Sequence, residues 1–155
     1  MGEFGKRMAS QIQDADKQRE AARAQADTES SAAAELERHI RKLAPDVWQS
    51  FRTAIVAKCD EVNKACGKDY YRCHDEMPNK LHVIRLNPIA NLRLEFFPDG
   101  SRIHFEAGSC VGDYLVRLDD GTGKAILSDA YPTHTFEIEG TAEYLLEDCL
   151  EKARF

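Results

Sequence analysis

An α+β fold, with two N-terminal helices of which the first is long, an antiparallel meander of five to six strands and a C-terminal helix, is predicted by three features. Residues 10–43 contain neither Gly nor Pro and are rich in Ala, Gln, Glu, Arg and Lys, the composition of a stable exposed helix. Residues 47–66 space their apolar side chains three or four apart, as one face of a helix does. Beyond Pro78 the apolar rhythm shortens to every second residue and turn residues recur.

The first helix gives a seven-residue register with Ile12, Ala15, Arg19, Ala22, Ala26, Glu29, Ala33, Leu36, Ile40, Leu43 and Val47 at the inward positions. Small and apolar residues dominate this seam, which Arg19 and Glu29 interrupt, so it resembles a coiled-coil face of modest apolar area. Asp27, Thr28, Glu29, Ser30 and Ser31 compete with helical hydrogen bonding and mark a place for fraying or a break. His39, Arg41 and Lys42 suit a helix C-terminus, and Pro45 suits the first position of a new helix, so a boundary is expected near Ala44. The second helix carries Val47, Phe51, Ile55, Cys59, Val62 and Cys66 on one stripe and stops at Gly67. Trp48, just off the stripe, is placed over the join between the two helices.

Residues from Gly67 through Pro78 read as a polar connector. The strand runs are Leu81 to Leu86, a run about Leu92, Leu94 and Phe96, a run about Ile103 and Phe105, Val111 to Leu118, Lys124 to Ser128, and His134 to Ile138. Phe97-Pro98-Asp99-Gly100 and Asp119-Asp120-Gly121-Thr122-Gly123 are turn signals between them. Thr141 is placed to cap the final helix, whose Leu145, Leu146, Cys149, Leu150 and Ala153 form its apolar face. Two amphipathic helices suffice to cover one face of a meander, which predicts a two-layer, helix-on-sheet arrangement. Residues 1–43 then form a helical arm and residues 44–155 an α+β domain.

Length and composition bound the function. A chain of 155 residues fits one ordinary domain, and a charged share of 31% implies a large solvated surface. The net charge of -6 gives no overall attraction to nucleic acid or anionic membrane. The sequence holds neither a membrane-spanning apolar run nor the apolar core of a signal peptide, and its five cysteines read as reduced thiols, so a cytoplasmic protein is expected.

Candidate chemistry is sparse. Cys59 and Cys66 lie two helical turns apart, about 10 Å, too far to share one zinc, and read with Cys149 as buried apolar thiols. Cys73 lies in the connector, where Arg72 or His74 could favour thiolate, making it a candidate nucleophile. His82, His104 and His134 fall in three strands and would form a site only if the register brings them to one face. Arg93, Arg102 and Arg85 beside Phe97 and His104 suggest a single-strand nucleic-acid surface, against which stand six Lys or Arg and nine Asp or Glu in residues 78–139. The glycines of 119–124 fit neither a phosphate loop nor a calcium loop. No cofactor or metal site is expected.

These features point to a non-enzymatic interaction module, self-associating or docking another protein through Ile12, Ala15, Ala22, Ala26, Ala33, Leu36 and Ile40. A small-molecule or enzymatic cup on the sheet, using Cys73, His82, His104 and His134, is the alternative.

Overall fold

The computed structural model describes the chain except residues 1, 120, 130–134 and 153–155. It divides into two units, Met1–His39 and Ile40–Phe155. One helix, α1, spans Glu3–Cys66 with Pro45 inside it, so the two expected N-terminal helices are one. Pro45 lacks the N–H that would meet the carbonyl four residues earlier, a cost of about 3 kcal/mol. Burial of Ala44, Val47 and Trp48 around it outweighs that loss. The helix also runs through residues 27–31, where a break was expected; Thr28 Oγ1 donates back to the carbonyl of Ala24 at 2.9 Å instead of competing with the helix.

In the first unit no described residue is buried. Among the described residues the buried core lies in the second unit, beginning at Ala44. Its helical stretch ends at Cys66, and Gly67 adopts φ 66°, as the sequence suggests. Asn63 fixes the backbone beyond this turn: its Oδ1 accepts from the N–H groups of Tyr70 and Tyr71 at 2.9 and 2.8 Å, and its Nδ2 donates to the Tyr71 carbonyl at 2.9 Å. Beyond it Tyr71–His74 is a strand, β1, paired with residues 82–85, and not part of a connector.

The remaining strands are β2 (Lys80–Leu86), β3 (Ile89–Phe97), β4 (Arg102–Ala107), β5 (Cys110–Leu118), β6 (Ala125–Ser128) and β7 (Thr135–Phe136). They form one antiparallel sheet in chain order. Alternation decides its faces. Tyr71, Leu81, Val83, Leu92, Leu94, Phe96, Ile103, Phe105, Tyr114 and Val116 are buried, while their neighbours point the other way. The turn at Pro98–Gly100 is one 3₁₀ turn, with Ser101 in the left-handed region at φ 47°. The 119–124 hairpin is closed by Asp119 N–H to the Lys124 carbonyl and Gly123 N–H to the Asp119 carbonyl, both 2.8 Å.

Trp48 of α1 stacks on Phe96 with ring centroids 5.8 Å apart and donates from Nε1 to the Pro78 carbonyl at 2.8 Å. Arg52 donates to the same oxygen at 2.8 Å. Trp48 is therefore fully buried against the sheet rather than covering a join between helices. Phe51 meets Tyr114 edge-on at 6.3 Å.

The C-terminal helix α2 spans Ile138–Tyr144 and continues as a wider π-helical segment, Leu145–Leu150. It starts earlier than expected: Thr141 lies inside it, bonding Oγ1 to the Glu137 carbonyl at 2.8 Å, and Ile138 is helical, not the end of a strand. Leu145, Leu146, Cys149 and Leu150 are buried as their spacing implies; Ala153 and His134 lie outside the described residues.

Candidate functional site

Two surfaces carry the residues that the sequence singles out. The first is the helix before residue 40. Ile12, Ala15, Ala22, Ala26, Ala33 and Leu36 all lie on α1, and Phe4, Met8, Ile12 and Leu36 expose 68, 40, 56 and 52% of their surface. Large apolar side chains at this exposure cost solvation free energy that burial against another surface would recover. Ile40 differs, being partly buried against the core of the second unit.

The second surface is the outer face of the sheet. The register pairs His74 with His82, His82 with Arg93, and Arg93 with Glu106. A parallel row pairs Lys80 with Glu95, Glu95 with His104, and His104 with Asp113. His74, His82 and His104 thus share one face and, with Glu76, Lys80 and Arg93, line a cleft of about 530 Å³. His74 and His82 rings are 6.0 Å apart. Of the three strand histidines that the sequence offered, His82 and His104 share this face and His134 lies outside the described residues, while His74 joins them from β1; Lys80, Asn91 and Asp113 share their parity along the strands, the signal that points to them.

The imidazoles differ in what their nitrogens meet. His104 Nε2 is 3.0 Å from Glu106 Oε1 and Nδ1 is 2.9 Å from Asp113 Oδ1. Glu106 first, then Asp113, raises its pKa above the ordinary imidazole value against the opposing effect of desolvation. His82 Nε2 is 2.8 Å from Asn91 Oδ1, a neutral amide oxygen in place of a carboxylate. No group of three or more His, Cys, Asp or Glu among the described residues is placed to hold a metal ion.

Cys73 does not join this cleft. It lies on the inner face of β1, opposite Val83, packed against the core and in S–H···S contact with Cys59 of α1. The Cys59 hydrogen bond lowers the Cys73 pKa, and that contact followed by burial raises that of Cys59; neither Arg72 nor His74 is the cause. Arg85 is likewise turned inward and buried, away from the face on which the sequence suggested it. Of the outer cations, Lys80 lies 3.7 Å from Glu95 and Arg102 3.4 Å from Asp113, with Arg102 also 4.5 Å over the Phe97 ring. Carboxylates thus meet these two cations.

Of the three cysteines expected to be buried thiols, Cys59 is buried and Cys66, at the helix end, is exposed; Cys149 is buried but joined to Cys110 in a disulfide between β5 and the C-terminal helix. The reason is topological: Cys110 falls at an inward position of β5 beneath that helix, a proximity that spacing in sequence does not reveal. No helix among the described residues is long and apolar enough to cross a membrane. Compared with known proteins, the chain matches no family model, no curated protein and no solved structure.

Proposed function

We propose that this protein is a non-enzymatic interaction module, a small regulatory or adaptor protein that binds a partner protein or a second copy of itself through the helical arm before residue 40. The observation that carries this reading is the exposure of Phe4, Met8, Ile12 and Leu36 on a helical stretch with no buried residue. A helix of that length has little apolar area in any one turn, and its stability benefits from a surface to pack against. The α+β domain serves as its folded base, with helix and sheet as two layers; the Trp48–Phe96 and Phe51–Tyr114 contacts support that layering. A cytoplasmic setting fits the free thiols Cys59, Cys66 and Cys73, whereas an oxidising compartment would preserve the Cys110–Cys149 bridge. The redox state of that bridge in cells distinguishes the two.

A photoreactive residue in place of Gln18 in the full chain tests the arm. Protein adducts are expected in cells, and they should disappear in the Ile12→Asp/Leu36→Asp variant. Absence of any adduct, or adducts indifferent to that variant, overturns the reading.

The cleft shared by His74, His82 and His104 favours a second reading, a small-molecule site with Cys73 excluded from it. Its signature would be a ligand-induced rise in thermal stability that His82→Ala abolishes.

A further inference from the structure

We infer that the arm pairs with the arm of a second copy of this chain, antiparallel and in one register, so that Arg19 of each protomer meets Glu29 of its partner. This rests on the arm being an interaction surface and names its occupant and geometry.

The warrant is charge and size complementarity along the seam. In a two-fold symmetric pair, if residue i meets residue j then j meets i. For antiparallel helices the numbers of facing residues therefore have a constant sum. Setting Arg19 against Glu29 places the axis at Ala24 and fixes every other layer. Ile12 then faces the partner's Leu36, Ala15 faces Ala33, and Ala22 faces Ala26. Large apolar residues meet large ones, alanines meet alanines, and the two charges that break the seam meet each other. The alanine layers beside the axis permit the close end of the usual helix separation, about 8 Å.

The competing arrangements lose these matches. A parallel pair sets Arg19 on Arg19 and Glu29 on Glu29, like charges in the seam. Slipping the antiparallel pair by one heptad sets Arg19 against Ala22 and Ile12 against Glu29 in one direction, and Arg19 against Leu36 in the other. Each slipped register leaves a charge facing an apolar or small residue without a counter-ion. Nothing in the arm itself holds the two side chains away: Arg19 touches Asp16 at 3.6 Å with both largely exposed, and Glu29 accepts from Gln25 at 3.2 Å on the exposed surface. Such contacts are weak and readily exchanged.

Sedimentation of four full-length proteins tests this: the native chain, Arg19→Glu, Glu29→Arg and the double swap. The native chain should dimerise. Each single variant sets like charges together at both symmetric sites and should weaken dimerisation by about tenfold to a hundredfold, whereas the double swap should recover to within about threefold of native. An equimolar mixture of the two single variants should dimerise like the native chain, because each then supplies the charge that the other lacks. A native dimer with no rescue in the mixture or the double swap overturns the antiparallel register and leaves the arm as the interface. A native chain that stays monomeric overturns self-pairing altogether, while photo-crosslinking from residue 18 independently decides whether the arm binds another protein.

Discussion

Arg85 Nη1 lies 3.0 Å from Glu151 Oε2 and also donates to the main-chain carbonyls of Leu150 and Glu151 at 3.4 and 3.2 Å. A side chain of β2 thus closes the carboxyl end of the C-terminal helical segment, where positive charge suits the helix dipole. The guanidinium side chain is 9% exposed and Glu151 32%. Arg85 Nε meets the Pro88 carbonyl at 2.9 Å, and the hydroxyls of Tyr70 and Tyr71 both donate to Glu151.

Removing the cation while keeping its length, in Arg85→Met, leaves the Glu151 carboxylate among two phenols and two helix-end carbonyls with no counter-charge. Stability should fall by about 3 kcal/mol, read from urea unfolding. Arg85→Met/Glu151→Met should lose less than the sum of the single variants, because neither charge is then left unpaired. Strict additivity would show that the two side chains do not act together.

Trp48 contributes both area and a hydrogen bond. Trp48→Ala opens a cavity beside Phe96 and should cost about 3–5 kcal/mol. Trp48→Phe keeps a ring on Phe96, and Arg52 still satisfies the Pro78 carbonyl, so its cost should be nearer 1–2 kcal/mol. Equal losses in the two variants, measured by thermal unfolding, would place the contribution elsewhere than in packing.

His104 makes stability depend on pH in a stated direction. Its pKa is raised in the folded state by Glu106 and Asp113, and Arg102 beside Asp113, Glu95 across the strand, and Lys80 and Arg93 in the same cleft are further charges on that face. A raised folded pKa means that the imidazolium's contribution is fully present below the ordinary histidine pKa of about 6.5 and is lost as pH rises through the folded pKa. The difference in unfolding midpoint between the native chain and His104→Asn should therefore shrink from pH 5.5 to 8. A difference that grows over that range would contradict the assigned pairing. The imidazole resonances of His104, followed by NMR, should titrate above those of an unstructured reference peptide.

How far the fold was legible depends on what each signal measures. Alternation in Leu81 to Leu86 and in residues 92–96 specified strands because one face is buried, and Gly67 marked the helix end because its left-handed conformation favours glycine. Pro45 misled for a physical reason: its local preference was outweighed by tertiary burial of Ala44 and Trp48. Tyr71–His74 is a strand because it pairs with residues 82–85, with Asn63 holding the backbone at its start, and neither tie leaves a period in the local sequence. Sequence alone left open whether His82 and His104 share a face; their two rows, His82 through Arg93 to Glu106 and Glu95 through His104 to Asp113, required the register itself. The Cys110–Cys149 contact joins elements distant in sequence, and that of Cys73 with Cys59 depends on how the chain turns back at Gly67; no local pattern records either.

Gly112 supplies a packing test. A Cβ built there would lie 2.9 Å from Phe105 Cζ, because Phe105 is its cross-strand partner and its ring lies over the bare backbone. Gly112→Ala must push that ring toward Tyr114, with which it stacks at 4.9 Å, and should cost about 1–3 kcal/mol. Phe105→Leu in the same chain should relieve part of the loss. A neutral Gly112→Ala variant would mean that the ring moves without disturbing the aromatic pair.

The disulfide closes a loop between residues separated by 39 positions, so its effect falls mainly on the unfolded chain. Restricting a loop of that length lowers unfolded-state entropy by an amount worth about 4 kcal/mol in the chain-entropy model. Cys110→Ser/Cys149→Ser, or the native chain in excess reductant, should therefore unfold at a lower urea concentration. Because the unfolded ensemble expands when the bridge is lost, the slope of the urea transition should rise together with the fall in midpoint. Cys59, Cys66 and Cys73 are free in the native chain, so alkylation under denaturing conditions should label three thiols before reduction and five after. Labelling of all five without reductant would show that Cys110 and Cys149 remain thiols, and the fall in stability on reduction would then vanish with it.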